Sequence, residues 1–218
     1  MVILSESSCG LQNAINKLDE YCNKWKLKVN LNKTKIIIFN KGGFKFKKYP
    51  IFLENTDIEI TPSYCYLGIE FAASGTFNLA VSKLKDKANK ALFNLKYFNT
   101  NGNVGLSFKL FNSLVLPILS YGSEVLAPFL IQNLNSDNFM HLSEKVCTEQ
   151  VHNKLCRFIL GVHRKSCTAA IKGELGSYPI LITNLCSALK YLHHIHQCDP
   201  NSLISKCLRE NYSMDQNN

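Results

Sequence analysis

Residues 21–39, with the sequence YCNKWKLKVNLNKTKIIIF, decide the fold that we expect for this chain. Apolar residues recur at helical spacing as far as Trp25, whereas an unbroken apolar run begins at Ile36. This change of period predicts a helix that leads into a strand over residues 35–40. The polar residues between the two, 30–35, predict a turn beside the sheet, where lysine side chains would suit a phosphate group.

The composition of the 218 residues is typical of a folded globular protein, with eleven Gly, six Pro and no internal repeat. The longest apolar run, residues 114–119, contains Pro117 and is far shorter than the roughly 20 residues of a membrane helix. Ser5 and Glu6 end the apolar start too early for a signal peptide. Nine cysteines without a CxxC pair favour free thiols in a reducing compartment. We therefore expect an intracellular protein of the cytoplasm or nucleus, outside the membrane.

The net charge of +9 is distributed unevenly along the chain. Residues 1–50 contain ten lysines against three acidic residues, so most of the excess is N-terminal. A localised basic region indicates a polyanionic partner, most often nucleic acid. A lysine-rich solvated surface explains the same composition equally well.

The N-terminal third predicts one helix and several short strands. Ser7 or Ser8 is placed to cap a helix whose apolar stripe includes Tyr21 and Trp25, which we expect to anchor in the core. Strands are expected at residues 1–4, 35–40 and 64–71, and one or two strands at residues 51–60.

The segment at residues 41–49 alternates cationic and aromatic side chains. It contains Lys45, Lys47 and Lys48 among Phe44, Phe46 and Tyr49. This mixture is typical of a loop that binds a nucleic-acid backbone and stacks on bases. A hairpin tip with lysines for solubility is an equally good interpretation.

The remainder of the chain predicts helices. In the helix expected at residues 76–98, Lys83, Lys87 and Lys90 share one flank, as phosphate contacts or as an ordinary solvated face. A second helix is expected over residues 104–116, with Pro117 as its stop. The polar residues 132–138 predict a domain boundary. Gly161 and Pro179 mark the end and the start of later helices.

No complete catalytic constellation is present in these residues. The carboxylates of the N-terminal half form no pattern for binding a metal, and no serine or cysteine has a nucleophile motif around it. A cluster near residue 195 could bind zinc, although its spacing matches no structural zinc pattern and surface histidines are the default interpretation. Its members are His193, His194, His196 and Cys198.

Five segments resemble, in order, parts of the reverse transcriptases encoded by non-LTR (LINE-type) retrotransposons. Residues 27–39 resemble the fourth palm motif of that family, and Tyr66, Leu67 and Gly68 look like its primer grip. Residues 1–5 resemble the strand that leaves the catalytic hairpin. The other two segments are LPILSYGSEVLAP, which is similar to the thumb, and FILGVHRKSCTAAIKGELGSYPI, which is similar to the post-thumb region.

The resemblance implies an α+β fold that is the remnant of a polymerase palm, antiparallel strands with one helix, followed by helices. The implied domains are a partial palm with a primer-grip hairpin at 1–73, a helical thumb at 74–131, a helical C-terminal extension at 139–211 and a flexible tail at 212–218. The implied partners are RNA and DNA, as a primer–template. The expected contact residues are Lys35, Lys45, Lys47, Lys48, Tyr66, Leu67, Gly68, Lys83, Lys87 and Lys90.

The family's metal-binding aspartates correspond to positions before Met1. We therefore expect no polymerisation by these residues alone, and Mg²⁺ only if the upstream palm is supplied. By resemblance, Lys33 corresponds to the palm lysine that protonates the pyrophosphate leaving group, and a simple turn lysine is the alternative. Two other functions stay open: a nucleic-acid-binding module without catalysis, and a transposon relic without activity.

Overall fold

The structure is a computed structural model that describes residues 1–40, 50–97, 103–131, 144 and 146–216. Over these residues the fold is α+β, as the sequence predicts. The chain divides into two compact units, Met1–Ala80 and Val81–Asn218. The domain limits implied by the palm, thumb and extension stay predictions.

The first unit combines one helix with two small antiparallel sheets of two strands each. A parallel bridge between Ile36 and Ile60 lies apart from both sheets. The elements are α1 (Ser8–Lys24), a 3-10 turn (Leu31–Lys33), β1 (Phe52–Leu53), β2 (Thr56–Asp57), β3 (Ser63–Tyr66) and β4 (Ile69–Ala72).

Helix α1 forms as predicted, but its end does not enter the core. The Ser7 hydroxyl accepts a hydrogen bond from the Gly10 N–H at 3.1 Å and caps the first turn. Ile15 and Cys22 are buried, whereas Tyr21 is exposed and Trp25 is 60% exposed. The expectation that these aromatics anchor the core was wrong, because the apolar stripe of α1 extends further than the small aliphatic cluster around Ile15.

Two predicted strands are absent from the described residues. Residues 1–4 form no strand, and only Ile3 among them packs on the core cluster while Leu4 is exposed. In residues 35–40 the bridge at Ile36, whose N–H donates to the Glu59 carbonyl at 3.0 Å, does not extend into a strand, although the Asn40 N–H donates to the Ala73 carbonyl at 2.9 Å. Both predictions were wrong because an apolar run becomes a strand only where a neighbouring backbone offers a ladder.

The two later strand predictions, at residues 51–60 and 64–71, each fall on a hairpin of two short strands. Residues 51–60 contain the hairpin of β1 and β2, which buries Ile51, Leu53 and Ile58. Residues 64–71, expected as one strand, belong to the hairpin of β3 and β4, which turns at Leu67 and Gly68. A Leu-Gly turn lacks the Asn-Gly or Asp-Gly signal, so the sequence did not reveal it.

The second unit is helical, as predicted. Its helices are α2 (Asn78–Tyr97, which begins at the end of the first unit), α3 (Val104–Leu114), α4 (Leu116–Leu119), α5 (Ser123–Ile131), α6 (Cys147–Leu160), α7 (Thr168–Glu174), α8 (Ile180–Gln197) and α9 (Leu203–Gln216). Gly161 ends α6 in the left-handed conformation, with φ of 63°. Pro117 was expected to stop α3, but α3 ends earlier, at Leu114, and Pro117 lies in the first turn of α4.

The core of the second unit forms where the stripe of α2 meets α3, α6 and the start of α8. Ala88, Leu92 and Leu95 of α2 are buried there beside Phe111 and Leu155. The helical spacing of these apolar residues therefore predicted the buried side of α2 correctly. The boundary expected at residues 132–138 lies outside the described residues.

Candidate nucleic-acid interface

The lysine-rich turn in the first unit is held by its own side chains. The Asn30 side chain accepts a hydrogen bond from the Lys33 N–H at 3.3 Å, and the Thr34 hydroxyl donates to the Asn30 carbonyl at 2.9 Å. These bonds fix the 3-10 turn that carries Lys33. The Lys33 side chain is exposed, so its ammonium group can reach an anion in solution.

A hydrogen bond joins the lysine turn to the hairpin of β3 and β4. The Tyr64 hydroxyl donates to the Lys33 carbonyl oxygen at 2.6 Å. Tyr64 lies on β3, two residues before the end of that strand, where it pairs with Phe71. The hydrogen bond therefore joins the turn within residues 27–39 to the strand that leads into Tyr66, Leu67 and Gly68.

The tip of this hairpin has an unusual backbone. Leu67 and Gly68 have φ angles of 48° and 83°, the pattern of a type I′ turn. Glycine adopts this conformation freely, but in leucine the Cβ crowds the backbone at a cost of roughly 1–2 kcal/mol. Leu67 is also 72% exposed, so a strained apolar residue stands at the tip. Tyr66, the third residue of this predicted site, is half-buried and pairs with Ile69.

The expected contact residue Lys35 already has an acidic partner. Its ammonium group forms an ion pair with the Glu59 carboxylate beside the bridge of Ile36 and Ile60, and the Lys35 side chain is mostly covered. A phosphate group would have to compete with Glu59 for this lysine. The role of Lys35 in binding nucleic acid stays a prediction.

The three lysines predicted on α2 are exposed in the second unit. Lys83, Lys87 and Lys90 occupy positions i, i+4 and i+7, so they follow one flank of the helix. We call these three residues the α2 lysine row. Lys45, Lys47 and Lys48 lie outside the described residues, so their contact with nucleic acid stays a prediction.

The sequence did not reveal a buried polar network in the second unit. The Glu149 carboxylate on α6 is 0% exposed. One of its oxygens lies 2.6 Å from the Lys172 Nζ on α7, and the other accepts a hydrogen bond from the Leu181 N–H on α8 at 2.8 Å. Glu149 therefore ties three helices together. We call Glu149, His152 and Lys172 the Glu149 network.

His152 connects this network to the surface. Its Nδ1 lies 3.7 Å from the Glu149 carboxylate, and its Nε2 lies 3.0 Å from the Ser177 hydroxyl. The imidazole stacks on Phe111, with ring centroids 5.5 Å apart and an interplanar angle of 21°. Ser177 and His152 line an open groove of about 370 Å³.

Burial and neighbouring polar groups shift the pKa values of Glu149 and His152 in opposite directions. Burial raises the pKa of Glu149, but the contacts with His152, Lys172 and the Leu181 N–H lower that pKa by more, so it lies below its ordinary value. Burial lowers the pKa of His152, while the neighbouring Cys156 and Glu149 raise it above its ordinary value. Glu149 is therefore held as a carboxylate at neutral pH.

One sequence signal could have identified this network. Glu149 stands three residues after Val146, at a spacing that places both on one side of a helix, and both residues are buried. A carboxylate at a buried stripe position requires a partner. Its partners Lys172 and Leu181 come from other helices, and spacing along one helix does not identify them.

The histidine cluster near the end of α8 forms local contacts. The His193 ring lies 2.9 Å from the Gln197 amide, and the His194 ring lies 3.8 Å from the Cys198 sulfur. Across the described parts of the chain, no three His, Cys, Asp or Glu side chains converge as ligands for a metal ion.

Comparisons with protein-family models, with curated proteins and with solved structures find no match to this chain. In the described ranges, no helix has both the length and the apolar content that crossing a membrane requires.

Proposed function

We propose that this chain binds a primer–template duplex of RNA and DNA, as the end of the palm and the thumb of a non-LTR retrotransposon reverse transcriptase. The observation that carries the proposal is the hydrogen bond from the Tyr64 hydroxyl to the Lys33 carbonyl. It joins the cationic turn to β3, the strand that leads into the hairpin tip at Leu67 and Gly68. This contact supports a binding surface that includes both the turn and the hairpin.

The parts of this surface act on different features of a duplex. The exposed ammonium group of Lys33 attracts a phosphate group, since phosphate contacts dominate affinity for nucleic acids. The exposed Leu67 at the hairpin tip packs against sugar or base surface, where an apolar side chain loses water. In the second unit, the α2 lysine row supplies three more cations at helical spacing.

Binding rather than catalysis is proposed for these 218 residues by themselves. The resemblance assigns the aspartates that hold two Mg²⁺ ions to a segment that these residues do not include. The proton-donor role of Lys33 depends on those ions, because they bring the pyrophosphate to it. Without that segment, Lys33 acts as a phosphate-binding cation.

A relic without activity is the second candidate, and exposed apolar side chains in the first unit favour it. Met1, Leu4 and Trp25 are large, apolar and exposed. A relic that has lost the strands which once covered these residues would show the same surface. It would have no selected affinity for nucleic acid, so binding measurements separate the two candidates.

The α2 lysine row offers a direct test of the proposal. The triple variant Lys83→Gln, Lys87→Gln and Lys90→Gln should bind a labelled RNA–DNA duplex roughly 10- to 100-fold more weakly at low salt, because it loses up to three phosphate contacts. Fluorescence anisotropy measures the dissociation constant. The matched control removes the same charge at three exposed lysines elsewhere, Lys17, Lys190 and Lys206.

The control separates specific contacts from net charge. If both triple variants weaken binding equally, affinity follows total charge and the α2 lysine row has no special role. Full affinity in the α2 variant would remove this helix from the proposed interface.

A further inference from the structure

The groove beside Ser177 has the size and the chemistry of a site for one planar polar group. Its volume of about 370 Å³ lies near the lower end of the range of small-molecule pockets, roughly 300–1,000 Å³. A group the size of one nucleoside fits such a volume, whereas a duplex does not. The groove lies wholly within the second unit, between α3, the end of α7 and the start of α8.

The lining of the groove disfavours a phosphate group. Of the described residues that line it, none is Lys, Arg, Asp or Glu. The lining instead combines apolar and aromatic side chains, among them Phe108 and Leu175, with the uncharged polar side chains of Asn112 and Thr183. A neutral ring with hydrogen-bonding edges complements such a surface better than a charged group does.

Tyr178 supplies a stacking partner. It lines the groove and is 83% exposed, so its ring is accessible to a second ring. Stacking on an aromatic side chain is the usual way in which proteins hold unpaired bases, and it tolerates every base because each has a π-face.

Ser177 supplies a hydrogen-bonding group that lies at the edge of the Glu149 network. The Ser177 hydroxyl and the His152 Nε2 lie 3.0 Å apart and share one hydrogen bond, whose direction depends on the proton on the imidazole. In either direction the Ser177 oxygen keeps a lone pair, so it can accept a hydrogen bond from an amino or imino hydrogen in the groove.

We infer that this groove holds one unpaired nucleobase of a bound nucleic acid, stacked on Tyr178 and hydrogen-bonded to Ser177. The inference rests on the proposed function, because it names the part of a nucleic acid that the second unit recognises. The double-stranded part contacts lysines, and the groove takes a base from a single-stranded extension. Binding at the groove therefore depends little on salt, unlike binding to the backbone.

The test compares three labelled nucleic acids: a blunt RNA–DNA duplex, the same duplex with a short unpaired overhang, and the overhang strand alone. The base analogue 2-aminopurine in the overhang reports stacking through quenching of its fluorescence. We expect the overhang to increase affinity and the analogue to be quenched. Tyr178→Ala should weaken binding of the overhang duplex by roughly 5- to 100-fold, the range for loss of one base–aromatic stack.

Three further variants test the site. Tyr178→Phe keeps the ring and should bind within about twofold of the unaltered chain, while Ser177→Ala should bind the overhang duplex roughly 2- to 10-fold more weakly. Tyr212→Ala removes another exposed tyrosine of the same unit and should change nothing. None of these changes should alter binding of the blunt duplex.

The outcomes separate this inference from the proposed function. If the blunt duplex binds but the overhang adds no affinity and no quenching, the groove does not hold a base and the proposed function stands. If only the single strand binds, through Tyr178, the inference about the groove stands and the proposal that the chain binds a duplex is overturned. If none of the three nucleic acids binds, both are overturned.

Discussion

At the scale of single residues, the Glu149 network has the largest predicted effect on stability. Removing one partner of a buried ion pair leaves the other charge without compensation. Glu149→Gln should therefore lower the free energy of unfolding by about 3 kcal/mol, because Lys172 is only 8% exposed. The double variant Glu149→Gln and Lys172→Met removes both charges and should recover most of that loss. Urea unfolding measures both values.

The same network predicts how stability depends on pH. Burial raises the pKa of Glu149, but its contacts with His152 and Lys172 hold the pKa below the ordinary 4.5. The stability that it contributes is thus present above pH 4.5 and lost as the pH falls through the folded-state value. The pKa of His152 is raised above 6.5, so its contribution is complete below pH 6.5 and lost as the pH rises through the folded-state value.

The free energy of unfolding should accordingly be highest between about pH 4.5 and pH 6.5 as far as these two groups determine it. Glu149→Gln should flatten the loss on the acid side of this window. An unchanged urea midpoint in Glu149→Gln, together with an unchanged acid slope, would mean that the buried pair contributes nothing to the stability of the second unit.

At the scale of elements, the hairpin of β3 and β4 stores strain at its tip. Leu67→Asn places the residue preferred in a type I′ turn at a φ of 48°. The variant should raise the free energy of unfolding by about 1 kcal/mol. It should also weaken binding of the primer–template, because the apolar contact at the tip is lost. The control variant Leu27→Asn changes another exposed leucine of the first unit and should not raise the free energy of unfolding.

A Leu67→Asn protein that is no more stable than the unaltered chain would show that the hairpin tip is not strained. If Leu67→Asn is more stable but binds the primer–template with unchanged affinity, the hairpin tip is strained but lies outside the nucleic-acid interface.

The sequence predicted helices better than strands, for a physical reason. The apolar stripe of Ala88, Leu92 and Leu95 lies within one segment, so the sequence of that segment alone predicts both the helix and its buried side. Strand formation depends on a partner backbone. Residues 1–4 and 37–40 have apolar character without a ladder among the described residues, so their pattern predicted strands that do not form.

At the scale of the whole molecule, the mixture of elements could be predicted from the sequence, whereas contacts between distant segments could not. The spacing of apolar residues predicted one helix with short strands in the first unit and helices in the second. The contact of Tyr64 with Lys33, and the contacts of Glu149 with Lys172 and Leu181, required the structure, since each joins residues more than 20 positions apart. The lysines of residues 41–49 stay predictions, because they lie outside the described part of the chain.

The salt dependence of duplex binding tests the central claim most directly. The unaltered chain should bind a primer–template of RNA and DNA at low salt. The logarithm of the association constant should fall linearly with the logarithm of the salt concentration, with a slope of roughly −3 or steeper. Each lysine–phosphate contact contributes about −0.9 to that slope for a B-form duplex. No binding at low salt, or binding that does not change with salt, would contradict the claim that this chain binds nucleic acid through its lysines.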